Sequence, residues 1–370
     1  KSKTTKERDE ADRLRIVAQQ EQARARIDRD RAEESLKLAN GTIRGFVELV
    51  DYLDNSQLFY ISYLDIRPEV LQAQVAHTQE IVRQCSDRPE RRVELADAYA
   101  RLAVLKRKLH QFAEGLSDGQ KALAIRQELV RQRPGVTEFE RDLAACHQIV
   151  GFLYHARGGG ETPADSQSGL ADLEAALLIR KRIFEREPAV LEYSSELANC
   201  YNQLGLLYSG MREYAKAAEC YELAIQRQDV AYTAAPQIAR YRLSLSNHYF
   251  NLANALLFLD RIPDAVAAGR HCRDLGPNEP EALIRYARIL SLASGLLAKK
   301  KQPSAQEAAE RERYAGEAVQ LLGQAVDWGY HDLAVLTWPP VSGPLQQRND
   351  YQELLRRIRT KQANEAPRAK

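Results

Sequence analysis

No run of eighteen apolar residues occurs in the 370-residue sequence, so no segment is long and apolar enough to cross a membrane as a helix. An excess of one charge sign is also missing. Lys and Arg number 53 against 51 Asp and Glu, a formal net charge of +2. That balance argues against a nucleic-acid binder, whose affinity would come from neutralising phosphates. Glycine (19) and proline (14) are too few for a collagenous or proline-rich disordered chain. Cysteine is scarce. Cys85, Cys146, Cys200, Cys220 and Cys272 form an odd set without a CxxC pair or a nearby histidine cluster. They read as small buried apolar residues on helices rather than as a disulfide or metal framework. Turn signals are sparse, while Ala, Leu, Arg, Glu and Gln dominate, which leaves little room for an all-β fold. The first thirty residues contain no apolar core of a signal peptide. The sequence begins at Lys1 rather than Met, and the expectation is a processed chain or a piece of a longer protein.

What is present is helical. Half of residues 1–40 are charged and no aromatic precedes Phe46. Alanines fall seven apart at Ala11, Ala18, Ala25, Ala32 and Ala39, and Asp9–Arg13 and Glu33–Lys37 are favourable i,i+4 pairs. The segment reads as a charged helical stalk. An alanine seam buries little area per turn, so any homodimer through it is expected to be weak. Asn40-Gly41 supplies a helix-stop signal.

Beyond the stalk the chain repeats itself. Leu95-Ala96, Leu143-Ala144, Leu197-Ala198 and Leu245-Ser246 recur, each followed seven positions later by Leu102, Val150, Leu204 and Leu252. A second column runs Ala122-Leu123-Ala124-Ile125-Arg126, Ala176-Leu177-Leu178-Ile179-Arg180 and Ala224-Ile225-Gln226-Arg227. Pro134, Pro188 and Pro236 stand at a constant distance after its alanines, and the longer second repeat has room for its extra residues in Gly158–Pro163.

Within the third repeat, Tyr201, Leu204, Gly205, Tyr208, Ala217, Tyr221 and Ala224 take the spacing of two closely packed helices. Small residues let the backbones approach and the aromatics fill the gaps. This pattern resembles the tetratricopeptide repeat (TPR). The fourth repeat matches with Tyr249, Leu252, Ala253, Leu256 and Ala265 and ends at Pro277. The first (Tyr99, Leu102, Ala103, Ala122) and second (His147, Val150, Gly151, Tyr154, Ala176) match less fully. The period near 48 exceeds the usual 34, so each helix pair is expected to be lengthened. The fold expected is all-α, a right-handed TPR-like superhelical solenoid with lengthened helix pairs and an N-terminal charged helical stalk. Its divisions are 1–40 stalk or coiled coil, 41–89 partial repeat, 90–278 four repeats, 279–326 a fifth helix pair, 327–360 a cap and 361–370 a disordered tail. Trp328 and Trp338 fall in the cap expected to close the apolar end of the stack.

The layout also resembles the C-terminal region of planctomycete-type membrane-anchored serine/threonine protein kinases. The resemblance lies in the charged stalk, Leu123-Ala124-Ile125-Arg126-Gln127-Glu128-Leu129-Val130, and the closing Ala325-Val326-Asp327-Trp328-Gly329-Tyr330 with Pro344-Leu345, Asp350-Tyr351 and Leu354-Leu355. It implies a sensor or scaffold region on the extracytoplasmic side of a bacterial membrane, attached to it only through an upstream span. The alternative is a free-standing soluble adaptor in the cytoplasm. No GxGxxG loop, VAIK lysine, HRD or DFG sequence is present, so no kinase activity is expected of this chain itself.

No catalytic residue, metal site or cofactor is read from the sequence. His147 shares the aromatic column of Tyr99, Tyr201 and Tyr249 and reads as a core histidine. Gly158–Gly160 lacks the Lys-Ser/Thr of a phosphate loop and a preceding strand, and no GxSxG nucleophile elbow is expected. The TPR resemblance implies a concave groove lined by positions 2 and 6 of each first helix, which would receive a protein or peptide ligand. Those positions are Asp97/Arg101, Ala145/Ile149, Asn199/Gln203 and Asn247/Asn251, with Asn254 a turn further. Amides suit such a groove because each offers donors and an acceptor with little charge to desolvate. The candidate partner-binding residues are therefore Arg101, Asn199, Gln203, Asn247, Asn251 and Asn254.

Overall fold

The computed structural model describes residues 68–158, 163–330, 332–337, 339 and 343–365. The expected stalk with its alanine seam, the first part of the partial repeat, the loop at 159–162, Trp338 and the last five residues lie outside the described residues. Helices and turns account for the described chain, and no strand occurs in it. After α1 (Pro68–Cys85), the helices come as pairs. These are α2 (Arg92–Lys108) with α3 (Phe112–Gln132), α4 (Thr137–Gly158) with α5 (Pro163–Arg186) and α6 (Leu191–Gly210) with α7 (Tyr214–Ala234). There follow α8 (Ala239–Phe258) with α9 (Ile262–Asp274) and α10 (Pro280–Ala298) with α11 (Ala305–Asp327). The short α12 (Leu333–Leu336) and α13 (Asn349–Glu365) complete the C-terminal end.

The sequence sets where each helix stops. The first helices of three pairs end in one motif, a residue in the left-handed region followed by a backbone bond closing back over the last turn. His110 (φ 57), Arg212 (φ 61) and Asp260 (φ 57) take that conformation. The next amides, of Gln111, Glu213 and Arg261, donate to the carbonyls of Lys106, Tyr208 and Leu256. The second helices stop for a different reason. Arg133 and Ala235 are forced out of the helical region by the prolines that follow them. In the fourth pair Gly276-Pro277 arrives about two turns earlier in the register, so α9 has 13 residues where α3 and α7 have 21. The lengthening expected of every pair is thus absent from α9.

Each helix packs on its neighbours in sequence, and the first helix of each pair also touches the first helix of the next. Second helices do not approach one another as closely. The chain is therefore an all-α TPR-like solenoid with its first helices along the inner row. Close approach within a pair depends on small residues. A Cβ on Gly169 would lie 2.8 Å from the Gly151 carbonyl oxygen, and one on Gly205 would lie 2.5 Å from the Tyr221 ring.

Successive pairs are joined by a polar column the size of an arginine. Arg126 and Arg180 stand four residues after the column alanines Ala122 and Ala176, and Gln228 stands four after Ala224. All three are buried, Arg126 at 2% exposure. Arg126 pairs with Asp97 of its own repeat and with Asp142 of the next (2.9 Å). Arg180 pairs with Glu196, the residue of α6 equivalent to Asp142. At the next junction the equivalent residue is Ser244, and the arginine is replaced too. Gln228 accepts from Ser195 Oγ (3.0 Å) and donates to the Tyr241 carbonyl (3.2 Å).

The C-terminal end is sealed by Leu336, Leu345, Tyr351, Leu354, Leu355 and Ile358, which join one core running back to α7. Tyr351 Oη donates to the Leu336 carbonyl (2.7 Å). Trp328 is 41% exposed and takes no part in that buried seal. Helix α13 runs to Glu365, past residue 360 where the sequence suggests the cap ends.

The tight pair interface can be tested at one atom. Tyr221 is fully buried and shares a hydrogen bond with Ser209 (3.2 Å), so its ring cannot easily retreat from a methyl group on Gly205. Gly205→Ala should destabilise the solenoid by about 1–3 kcal/mol despite its better helix propensity. Thermal denaturation of the two proteins measures this, and an equal or higher Tm for the variant would contradict the packing.

Candidate partner-binding groove

The six candidate residues sit on the inner row, but the fold uses them differently. Asn199 on α6 is half-buried, and its amide makes no hydrogen bond among the described residues. Gln203, one turn on, accepts from Gln148 Nε2 of α4 (2.8 Å) and keeps its own NH2 unbonded. Asn254 on α8 is half-buried, and its NH2 donates to the Phe250 carbonyl (2.7 Å) of its own helix. Arg101 is half-buried on α2.

Asn247 and Asn251 differ from the expectation of an exposed strip. Asn247 is 1% exposed and accepts from Arg285 Nη1 of α10 (2.7 Å). Asn251 is buried and donates to Asn202 Oδ1 of α6 (2.8 Å). The first helices approach closely enough that these positions fall in the seams between them, where a buried amide must find a partner. Both asparagines therefore tie neighbouring repeats together, and the six residues do not form one continuous open strip.

Further inward-facing polar groups escaped the sequence reading. Glu196 receives both Arg141 of α4 (Nε to Oε1 3.1 Å) and Arg180 of α5, and Arg180 also reaches Gln148 Oε1 (3.4 Å). The recurrence of Arg126 and Arg180, and of Asp142 and Glu196, one repeat apart was the available signal. A charged residue on an amphipathic helix nevertheless reads as solvated by default.

Residues 95–130 and 197–228 match the tetratricopeptide repeat family. No curated protein matches the sequence. Among solved structures, the fold is similar to BtubC (BKLC) from P. vanneervenii. That likeness has 19% identity, coverage of 71% of this chain and 94% of that one, and a TM-score of 0.49. The apo form of RapI is similar at 15% identity, 85% and 99% coverage and a TM-score of 0.47. A thermophilic TPR protein from Thermus thermophilus is similar at 19% identity, 64% and 98% coverage and a TM-score of 0.38.

The TPR-like packing accounts for the remaining reactive side chains. Cys85, Cys146, Cys200 and Cys272 are buried and Cys220 is half-buried. Burial pushes the Cys146 and Cys200 thiols up to about 12 and that of Cys220 to about 11, far from a reactive thiolate near neutral pH. His147 is less buried than a core residue and shares a 2.7 Å hydrogen bond, through Nδ1, with Asp172 of α5. Among the described residues, no group of three or more His, Cys, Asp or Glu is placed to hold a metal ion.

Gly115-Leu116-Ser117-Asp118-Gly119 does spell the spacing of a nucleophile elbow, contrary to the expectation that none occurs. It lies inside α3, not at a strand-to-helix turn. Asp118 is held there by Lys106 (2.6 Å) and Lys121 (3.2 Å), and both glycines serve close packing against α2 and α4.

His248 on α8 is fully buried and neither ring nitrogen has a hydrogen-bond partner among the described residues. Burial alone lowers its pKa from 6.5 to about 3. The unfolded chain therefore binds a proton between those values that the folded chain cannot. Stability should fall as pH drops below about 6.5, by about 2 kcal/mol at pH 5 from this residue. The lowered carboxyl of Glu307, near 2, begins to contribute only below its ordinary 4.5. Denaturant unfolding at pH 7.5 and pH 5 should therefore show a larger loss for the native protein than for His248→Leu. Equal losses would show that the ring is not a buried neutral group.

Proposed function

We propose that the solenoid is a non-catalytic protein-interaction module whose partner lies along the inner row. One observation carries the reading. Asn199 and Gln203, a turn apart on α6, keep hydrogen-bonding capacity that the fold does not use, while the neighbouring inner amides are spent between helices. An extended peptide backbone needs such donors and acceptors. In this reading Asn199 and Gln203 contact the partner directly, with Asn254 and Arg101 at the flanks. Asn247 and Asn251 hold α8 in place behind them. The match of two stretches to the tetratricopeptide repeat, a protein-interaction unit, supports the same class.

We further infer that the module is the sensor or scaffold region of a membrane-anchored serine/threonine kinase. Its support is the sequence layout of charged stalk, lengthened repeats and closing Trp328-Gly329-Tyr330 segment. Reading the gene upstream of the Lys1 codon tests this. A membrane span and kinase motifs are expected, and an initiator codon immediately before Lys1 would favour a free-standing adaptor.

The groove itself is tested by recovering the native partner and measuring its affinity for Asn199→Ala/Gln203→Ala. Loss of an amide bonded to a buried peptide group should cost about 1–3 kcal/mol of binding per residue. Folding stability should change by under about 0.5 kcal/mol from Asn199, which has no bond to lose. Unchanged affinity with an intact fold would move the partner to another surface.

A further inference from the structure

Positive charge is concentrated near the C-terminal end of the sequence. Residues 356–370 carry six basic side chains and one acidic, a net +5, so against +2 for the whole the preceding 355 residues carry a net −3. Four of the six, Arg356, Arg357, Arg359 and Lys361, fall within two turns of α13 with no acid among them. The fold turns these arginines outward. Tyr351, Leu354, Leu355 and Ile358 of the same helix are buried in the cap, while Arg356, Arg357 and Arg359 are exposed. Arg357 pairs with Asp327, the residue before Trp328, so the basic turn of α13 lies against the C-terminal end of α11. Trp328 is exposed at that end. Two acidic groups stand nearby, Asp327, which Arg357 engages, and the exposed Glu353 one turn before the arginines. Arg356 reaches only the Gln352 carbonyl of its own helix (3.4 Å), and neither Arg356 nor Arg359 forms an ion pair among the described residues.

We propose that this end face of the solenoid, Trp328 with Arg356, Arg357 and Arg359, docks on a bilayer containing anionic phospholipid. An indole joins an apolar ring to one N–H donor and settles at the level of the headgroups. Guanidinium groups donate in pairs to lipid phosphates while their aliphatic stems lie along the surface. No helix among the described residues is long and apolar enough to cross a membrane, and the apolar side of α13 is already used in the cap. The contact is therefore peripheral, charge attraction with one aromatic anchor. Charge also selects a bilayer over a polynucleotide. A planar surface meets only the positive end face, whereas a long polyanion would continue along a chain of net negative charge, and a few phosphate contacts hold it weakly.

The test is co-sedimentation of the full chain with phosphatidylcholine vesicles, alone or with about 30% phosphatidylglycerol, at about 100 and about 500 mM NaCl. Binding is expected to the anionic vesicles only, and to be lost at the higher salt, where the Debye length falls to about 4 Å. Arg356→Gln/Arg359→Gln should weaken it by about 25-fold, about fivefold for each charge removed, with the far-UV circular dichroism unchanged. Lys299→Gln/Lys301→Gln removes the same charge from exposed positions at the other end of the 23-residue α11, about 34 Å away, and should change binding by less than about twofold. In a Trp338→Phe background the Trp328 emission should shift to the blue on anionic vesicles, and Trp328→Ala should weaken binding. Absence of binding to anionic vesicles, or equal losses from the arginine and lysine pairs, would overturn the proposal. So would tighter binding to a polynucleotide or an acidic peptide of matched charge, which would assign the arginines to a different partner.

Discussion

Successive repeats in this solenoid are held in register by one buried polar position, occupied by Arg126, Arg180 and Gln228. A helix pair cannot bury its apolar face alone, so every junction between pairs must be both apolar enough to stabilise and specific enough to fix the register. Burying an arginine costs several kcal/mol unless its charge and donors are matched. The charge of each arginine is met by a carboxylate on the next repeat, Asp142 or Glu196, although Arg180 Nε finds no acceptor among the described residues. A slip by one turn would strand both charges in the interior. The penalty falls on misassembly, which is how a costly group comes to specify a structure. At the third junction the carboxylate position is Ser244, and the arginine position is Gln228. The two change together because an arginine without its acid could not remain buried.

This device explains what was legible in the sequence and what was not. The repeat register, the small residues at Gly151, Gly205, Ala217 and Ala224, and the prolines that stop α3 and α7 each follow from local rules. Backbone approach and helix termination act over a few residues, and the sequence states them directly. The buried arginines could not be read the same way. Arg126 looks like any arginine on the polar face of a helix until the next repeat is in place over it. The same limit applies to Asn247 and Asn251. Their positions in the repeat are those of groove residues, yet the distance between first helices decides whether such a position opens to solvent or closes into a seam. That distance depends on side chains more than 35 residues away in sequence, such as Arg285 for Asn247. The shortened α9 was readable in principle, since Gly276-Pro277 breaks the proline register of the earlier repeats, but the period of the first helices masks it.

The junctions also decide what kind of groove the molecule can offer. Every charge spent on register is unavailable to a ligand. The inner row of the first three repeats contains ionisable side chains in number, and the junctions engage several of them: Asp97 and Asp142 with Arg126, and Glu196 with Arg141 and Arg180. A count of charges along the inner helices therefore overstates the charge left free of the junctions, since Arg126 and Arg180 are buried in their pairs.

The core is not evenly distributed along the stack. From the first turns of α7 onward most buried side chains of α8 to α13 merge into one continuous cluster, closed by Tyr351, Leu354 and Ile358. Toward the N-terminus the buried residues break into small clusters, such as Ala103, Leu116, Val150 and Leu153, linked by the polar column. Opening one junction exposes little apolar surface in the N-terminal part and much more in the C-terminal part. In a linear array, local opening costs what its own interfaces supply. The repeats that carry Asn199 and Gln203 therefore open locally more cheaply than the capped end does, and the capped end gives them a fixed base. The inner row opens most easily where its unused hydrogen-bonding groups lie.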